Sequence, residues 1–179
     1  MIQSALVFLN NFGIALVASV IFTLCIIIFK VRRERLATTK PAPDIRFAGY
    51  TYSEIYDWLH ELNPAGRRLY AASQWTLDLA FPLAYGALFA SLIAILVNSL
   101  DTRAHMLGVA IVLPAATVVL DLIENTLTSY MACVYPRLSA PLIAVASTTT
   151  RLKIALFIVC LLVVLALAIA AMISAIRAG

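Results

Sequence analysis

Long apolar stretches separated by short polar ones set the pattern of this chain. Residues 1–29, 79–100, 104–120 and 154–176 contain no Asp, Glu, Lys or Arg, and each approaches or exceeds the roughly 17–25 residues that a membrane-spanning helix requires. The pattern predicts an all-α integral membrane protein, a four-transmembrane-helix bundle with an extra amphipathic cytoplasmic helix. The spans are expected at about 6–30, 64–100, 102–133 and 150–177, in one transmembrane domain covering 1–179.

The segments between the spans carry their own signals. Residues 31–63 form the longest polar connection. Its "KPAP" breaks helix and reads as an extended connector, and "TYSEIYDWLHEL" follows it. Thr51 stands three residues before Glu54, the spacing of a capping box. Ile55, Trp58, Leu59 and Leu62 share one face, which predicts a short amphipathic helix at the membrane surface. Asn63 and Pro64 then read as the cap and first-turn residue of the second span, which Pro82 can kink. Residues 134–149, "VYPRLSAPLIAVASTT", are too apolar for a solvated loop and too short for a span, so an interfacial or re-entrant segment is expected there.

Charge orients this arrangement. Of the 13 Lys and Arg, 11 fall in the connections between the first and second spans and between the third and fourth. The positive-inside bias places those connections in the cytoplasm and both termini outside, in a multi-pass protein of the cell membrane. With 63% hydrophobic residues, 12% charged and a mean hydropathy of +0.98, the composition is not that of a soluble domain. The pI of about 9.2 follows from the same basic connections. It suits anionic lipid headgroups better than nucleic acid, for which no basic motif interleaved with aromatic residues is present. Cys25, Cys133 and Cys160 are odd in number and not arranged as CxxC, and read as small packing residues.

Against this background the acids at Asp78, Asp121 and Glu124 stand out. Counting inward from the turn near residue 101 gives 22 uncharged residues before Asp78 and 17 before Asp121. Both acids are therefore expected near the cytoplasmic edge of the hydrocarbon, level with Arg151 and Lys153. Thr117, Asp121, Glu124, Asn125 and Thr128 follow helical spacing along one face, and Gln74, Asp78, Pro82 and Tyr85 form a second stripe. Polar groups turned to lipid cost several kcal/mol, on the order of one lost hydrogen bond or more each, so the stripes should face one another across a polar pocket.

Such a pocket admits several chemistries. The acids can pair with Arg67, Arg68, Arg151 and Lys153 and fix helix register alone. Asp78, Asp121, Glu124 and Asn125 can supply oxygens to a divalent cation such as Mg²⁺ or Ca²⁺, although DxxEN is not a metal motif and no cofactor is required. Without metal, neighbouring carboxylates suit proton transfer or recognition of an amine, with Tyr85 and Trp75 as aromatic walls. The reading that uses most of these features is a pocket for a lipid or other amphipathic small molecule, bound and in one version chemically converted. Asp78, Asp121 and Glu124 are then the candidate catalytic residues. Asn125, Tyr85, Trp75 and Gln74 orient the ligand, and Arg67, Arg68, Arg151 and Lys153 hold its headgroup. The alternatives are a proton- or cation-coupled carrier or channel, which four spans would require to act as a homo-oligomer, and a non-catalytic membrane subunit.

Overall fold

A computed structural model describes residues 11–36, 38–100 and 103–178; the expected starts of the first and third spans, at 6 and 102, lie outside them. Among these residues there are six α-helices and no strand: α1 (Phe12–Leu36), α2 (Tyr52–Glu61), α3 (Pro64–Ser73), α4 (Leu77–Ser99), α5 (Arg103–Val134) and α6 (Ala140–Ala178). A single 3₁₀ turn, Pro43–Ile45, interrupts the connector between α1 and α2. Four helical segments are long and apolar enough to cross a membrane: Phe12–Leu36, Pro64–Ser99, Ala110–Val134 and Ala140–Arg177.

The capping signals fold as their chemistry dictates. Thr51 Oγ1 accepts from the Glu54 amide while the Glu54 carboxylate accepts from the Thr51 amide, closing a complete capping box on α2. The Asn63 side chain accepts from the Gly66 amide, and Pro64 occupies the first turn of α3, where its missing N–H costs nothing. Ile55, Trp58, Leu59 and Leu62 are buried together, against Tyr70, Met131 and Ile143. The amphipathic face of α2 therefore packs on protein, on the ends of α3, α5 and α6.

Three boundaries differ from the sequence expectation, the first being that α1 runs on past the expected end at 30 to Leu36 and so includes Arg32. The second span is not one helix: the chain turns at Gln74–Thr76, so α3 and α4 are separate. The break precedes Asp78, and α4 runs on through Pro82. Residues 140–149 do not form a separate segment either. They are the first turns of α6, which at 39 residues and 1.5 Å per residue is about 58 Å long, well beyond the ~30 Å of a hydrocarbon core. Only the short stretch between Val134 and Ala140 links α5 to α6.

The central helix is α4, which packs against α1, α5 and α6. Its midsection is aromatic. Tyr85, Phe89 and Phe157 meet edge to face at centroid separations of 5.1–6.2 Å, and Phe81 stacks on Phe22 at 5.2 Å. Cys160 is buried in this cluster and Cys25 is buried on α1, whereas Cys133 is exposed and fills no core position. Further along, Ile93 and Val97 close on Ala110 and Leu167. At the opposite end, the connector, α2 and α3 form a cap over the ends of α1, α5 and α6. Gly49, with φ of 75°, lets the connector backbone lie directly against Ser147 and Arg151 of α6. The Tyr50 amide donates to Ser147 Oγ at 2.9 Å, and Arg151 donates to the Ala48 carbonyl at 2.8 Å.

At Gly86 α4 lies so near α5 that a Cβ there would collide with the Val118 side chain. Val is stiff at χ1 and cannot swing aside. Gly86→Ala is therefore expected to push the helices apart and cost about 1–3 kcal/mol, read as a lowered melting temperature in detergent; an unchanged melt would show that the seam is loose. On α2, the hydrogen bonds from Thr51 hold the Glu54 carboxyl below its usual range. A carboxyl depressed by folding stabilises the cap at neutral pH, and that contribution is lost as pH falls through the depressed value. NMR titration of Thr51→Ala should show the Glu54 transition moving upward, toward an unperturbed glutamate.

Candidate functional site

Where the cap meets the bundle, the polar stripes of α4 and α5 face one another as their spacing requires. Gln74, Asp78, Thr117, Asp121, Glu124, Asn125 and Thr128 are all buried. Contact between the stripes is direct. The Tyr85 hydroxyl donates to Asp121 Oδ2 at 2.9 Å, and Asn125 Nδ2 donates to the Asp78 backbone carbonyl at 2.6 Å.

The second bond has a cause in the sequence. In a regular helix the Asp78 carbonyl would accept from the amide of residue 82, but residue 82 is proline and has no N–H. The proline thus leaves one carbonyl free inside the bundle, where an unsatisfied polar group is costly. Asn125 supplies the missing donor from the neighbouring helix.

Two cations pair with the acids. Arg32, near the end of α1, pairs with Asp78 and lies 3.4 Å from Asp44 of the connector. It also donates to Ser73 Oγ at 2.9 Å. Lys153 of α6 pairs with Glu124 and lies 3.5 Å from Asp121 Oδ1. Glu124 takes a further hydrogen bond from the Thr150 hydroxyl. Each cation thus joins two acids and ties together elements far apart in the chain. All six charged side chains are 11% exposed or less.

Beside this network lies a cavity of about 320 Å³. Arg32, Asp44, Asp78, Asp121, Asn125 and Lys153 line it with polar groups, and Phe29, Leu36, Ile45 and Phe81 give it apolar walls. Lys30 and Arg33, both exposed, stand at its edge.

Of the residues singled out from sequence, Asp78, Asp121, Asn125 and Lys153 come together at the cavity, with Glu124 and Tyr85 behind them on Lys153 and Asp121. The remainder do not reach it. Arg67 donates to the Leu59 and Leu62 carbonyls at the end of α2 and stacks 4.6 Å over the Tyr135 ring. Arg151 is engaged by the connector, Arg68 is exposed, and Trp75, at the α3–α4 turn, is 51% exposed. Gln74 is fully buried, but its amide has no hydrogen-bond partner among the described residues. Arg32 and Asp44 are site residues that the sequence reading did not select. The signal for Arg32 was the spacing Phe29, Arg32, Leu36, one helical stripe continuing past residue 30; Asp44 sits in a connector and carried none. Among the described residues no three His, Cys, Asp or Glu side chains are grouped to hold one metal ion: Lys153 stands between Asp121 and Glu124, and Arg32 between Asp44 and Asp78.

Removing one partner from a buried ion pair leaves an uncompensated charge, so Lys153→Met is expected to cost about 3–5 kcal/mol. Glu124→Gln, which keeps a hydrogen-bonding side chain beside Thr150, should cost less, and thermal melts of the two variants check the order. Asn125→Leu should cost about 1–3 kcal/mol by orphaning the Asp78 carbonyl. In a Pro82→Ala background, where the helix can satisfy that carbonyl itself, most of this cost should vanish; additive losses in the double-mutant cycle would refute the link. No protein-family model, curated protein or solved structure compared with the chain matches it, and the chemistry of the site is read from its geometry.

Proposed function

We propose that this chain is a membrane protein that holds the polar head of a lipid or lipid-like amphiphile in the cavity between α1, the connector, α4, α5 and α6. One observation carries the reading: the cavity combines apolar walls with a charged side, at one end of four helices suited to lipid. Ligand sites are mostly apolar concavities with a few convergent polar groups, and ionisable groups at the margin of membrane helices are expensive unless they serve a purpose. The bias of Lys and Arg toward the two basic connections supports a cytoplasmic position for this end. In the version of the reading in which the amphiphile is chemically converted, Asp78 and Asp121 line the cavity as the candidate acid–base groups, and Glu124 tunes Lys153.

A second reading rests on the ion pairs themselves. Arg32 and Lys153 each bridge two acids, which supports a purely architectural role in fixing helix register. The two readings separate by experiment. Mass spectrometry of organic extracts from the purified protein should show a retained amphiphile. Thr38→Trp, which fills the cavity edge, should abolish retention without lowering the melting temperature. An extract free of amphiphile, or retention unchanged in Thr38→Trp, would defeat the binding reading. Asp121→Asn that lowers the melting temperature and leaves retention untouched would favour the architectural one.

A further inference from the structure

The charges of the cavity are not evenly mixed. Of the buried side chains that line it, Asp44, Asp78 and Asp121 are carboxylates and Arg32 and Lys153 cations, and Lys153 is shared with a fourth carboxylate, Glu124, behind the wall. The buried network therefore holds two more acids than bases. At the edge the balance is reversed: Lys30 and Arg33 line the same cavity, are exposed, and make no ion pair among the described residues.

The interior also has unused hydrogen-bonding capacity. Asp44 Oδ1 is buried without a partner, although Oδ2 of the same carboxylate faces Arg32. Buried polar atoms are almost always paired, so a carboxylate oxygen left unpaired on a residue of the cavity wall marks a place for a donor the chain does not supply. An ammonium fits this description, with three donors, a positive charge and no acceptor.

Resting on the amphiphile reading above, we propose that the head taken by the cavity is zwitterionic. Its ammonium lies inward toward Asp44, and its phosphate lies at the edge against Lys30 and Arg33, as in a phospholipid with a primary amine. The polarity of the cavity selects this order of charges. An anionic head without an ammonium would leave the interior acids uncompensated, and a simple amine without phosphate would leave Lys30 and Arg33 unused.

The test compares two probes that differ only in the amine: dioleoyl phosphatidylethanolamine and its N-acetylated form, offered in equal amounts to the full-length protein in detergent and counted by native mass spectrometry. The wild type should retain the free amine about tenfold better, the size of effect that one hydrogen bond to a charged group provides. Asp44→Asn should bring the ratio toward one. Lys30→Gln with Arg33→Gln should weaken both probes together and leave the ratio standing. Equal retention of the two probes by the wild type would overturn the ammonium assignment while leaving the amphiphile reading intact. Retention of neither would overturn the zwitterionic assignment, with the organic extract deciding separately on the amphiphile reading, and a ratio unchanged in Asp44→Asn would remove Asp44 from the assignment. Because the wild-type comparison needs no variant, it decides the matter even if Asp44→Asn fails to fold.

Discussion

Charge placed among apolar helices needs a partner of opposite sign close by, and in this molecule two side chains supply it to four acids. Lys153 gathers Asp121 and Glu124, and Arg32 gathers Asp44 and Asp78. Each cation joins elements far apart in the chain, so charge pairing and helix placement are one problem with one solution. α1 is held to the start of α4 and to the connector, and α6 to α5. A buried pair of this kind is weak evidence of net stability, since each charge gives up hydration to form it. Its stronger effect is to forbid alternatives, because any sliding of α1 or α6 along its axis would strand carboxylates.

The bond between Asn125 and the Asp78 carbonyl plays the same part for α4 and α5. Pro82 opens a gap in one helix and Asn125 closes it from the next. The polar stripe that stood out in the sequence is thus divided between two tasks. Asn125 completes a backbone, Glu124 takes hydrogen bonds from Thr150 and Lys153, and of the stripe's acids Asp78 and Asp121 line the cavity.

Much of this was legible from residue order alone. Apolar run length gave the four helical segments, and helical spacing gave the buried stripes of α4 and α5, because a period of 3.6 residues follows from backbone geometry. The capping box on Thr51 and the Asn63 cap were legible for the same reason, being local hydrogen bonds within four residues. Partner choice among the basic residues was not. Arg151 satisfied the same depth argument as Lys153, and Arg67 and Arg68 were candidates beside them, yet Arg67 and Arg151 are drawn to backbone carbonyls of the cap. Long side chains reach several partners, and packing decides between them. Asp44 was invisible because connectors have no periodicity, and the α3–α4 break because no Gly or Pro falls at 74–76 to announce it.

The order in which the charges occur along the chain has a consequence for its synthesis. Arg32 emerges before Asp78, so the acid of α4 meets a counter-ion already made. Asp121 and Glu124 emerge before Lys153, on a helix that must wait for α6. For a chain delivered to a membrane from its amino end, α5 would enter as an acidic helix short of a base, settling only when α6 arrives. Placement of α5 is thereby tied to α6: a chain cut short before residue 153 keeps two acids of α5 without the cation that pairs with both.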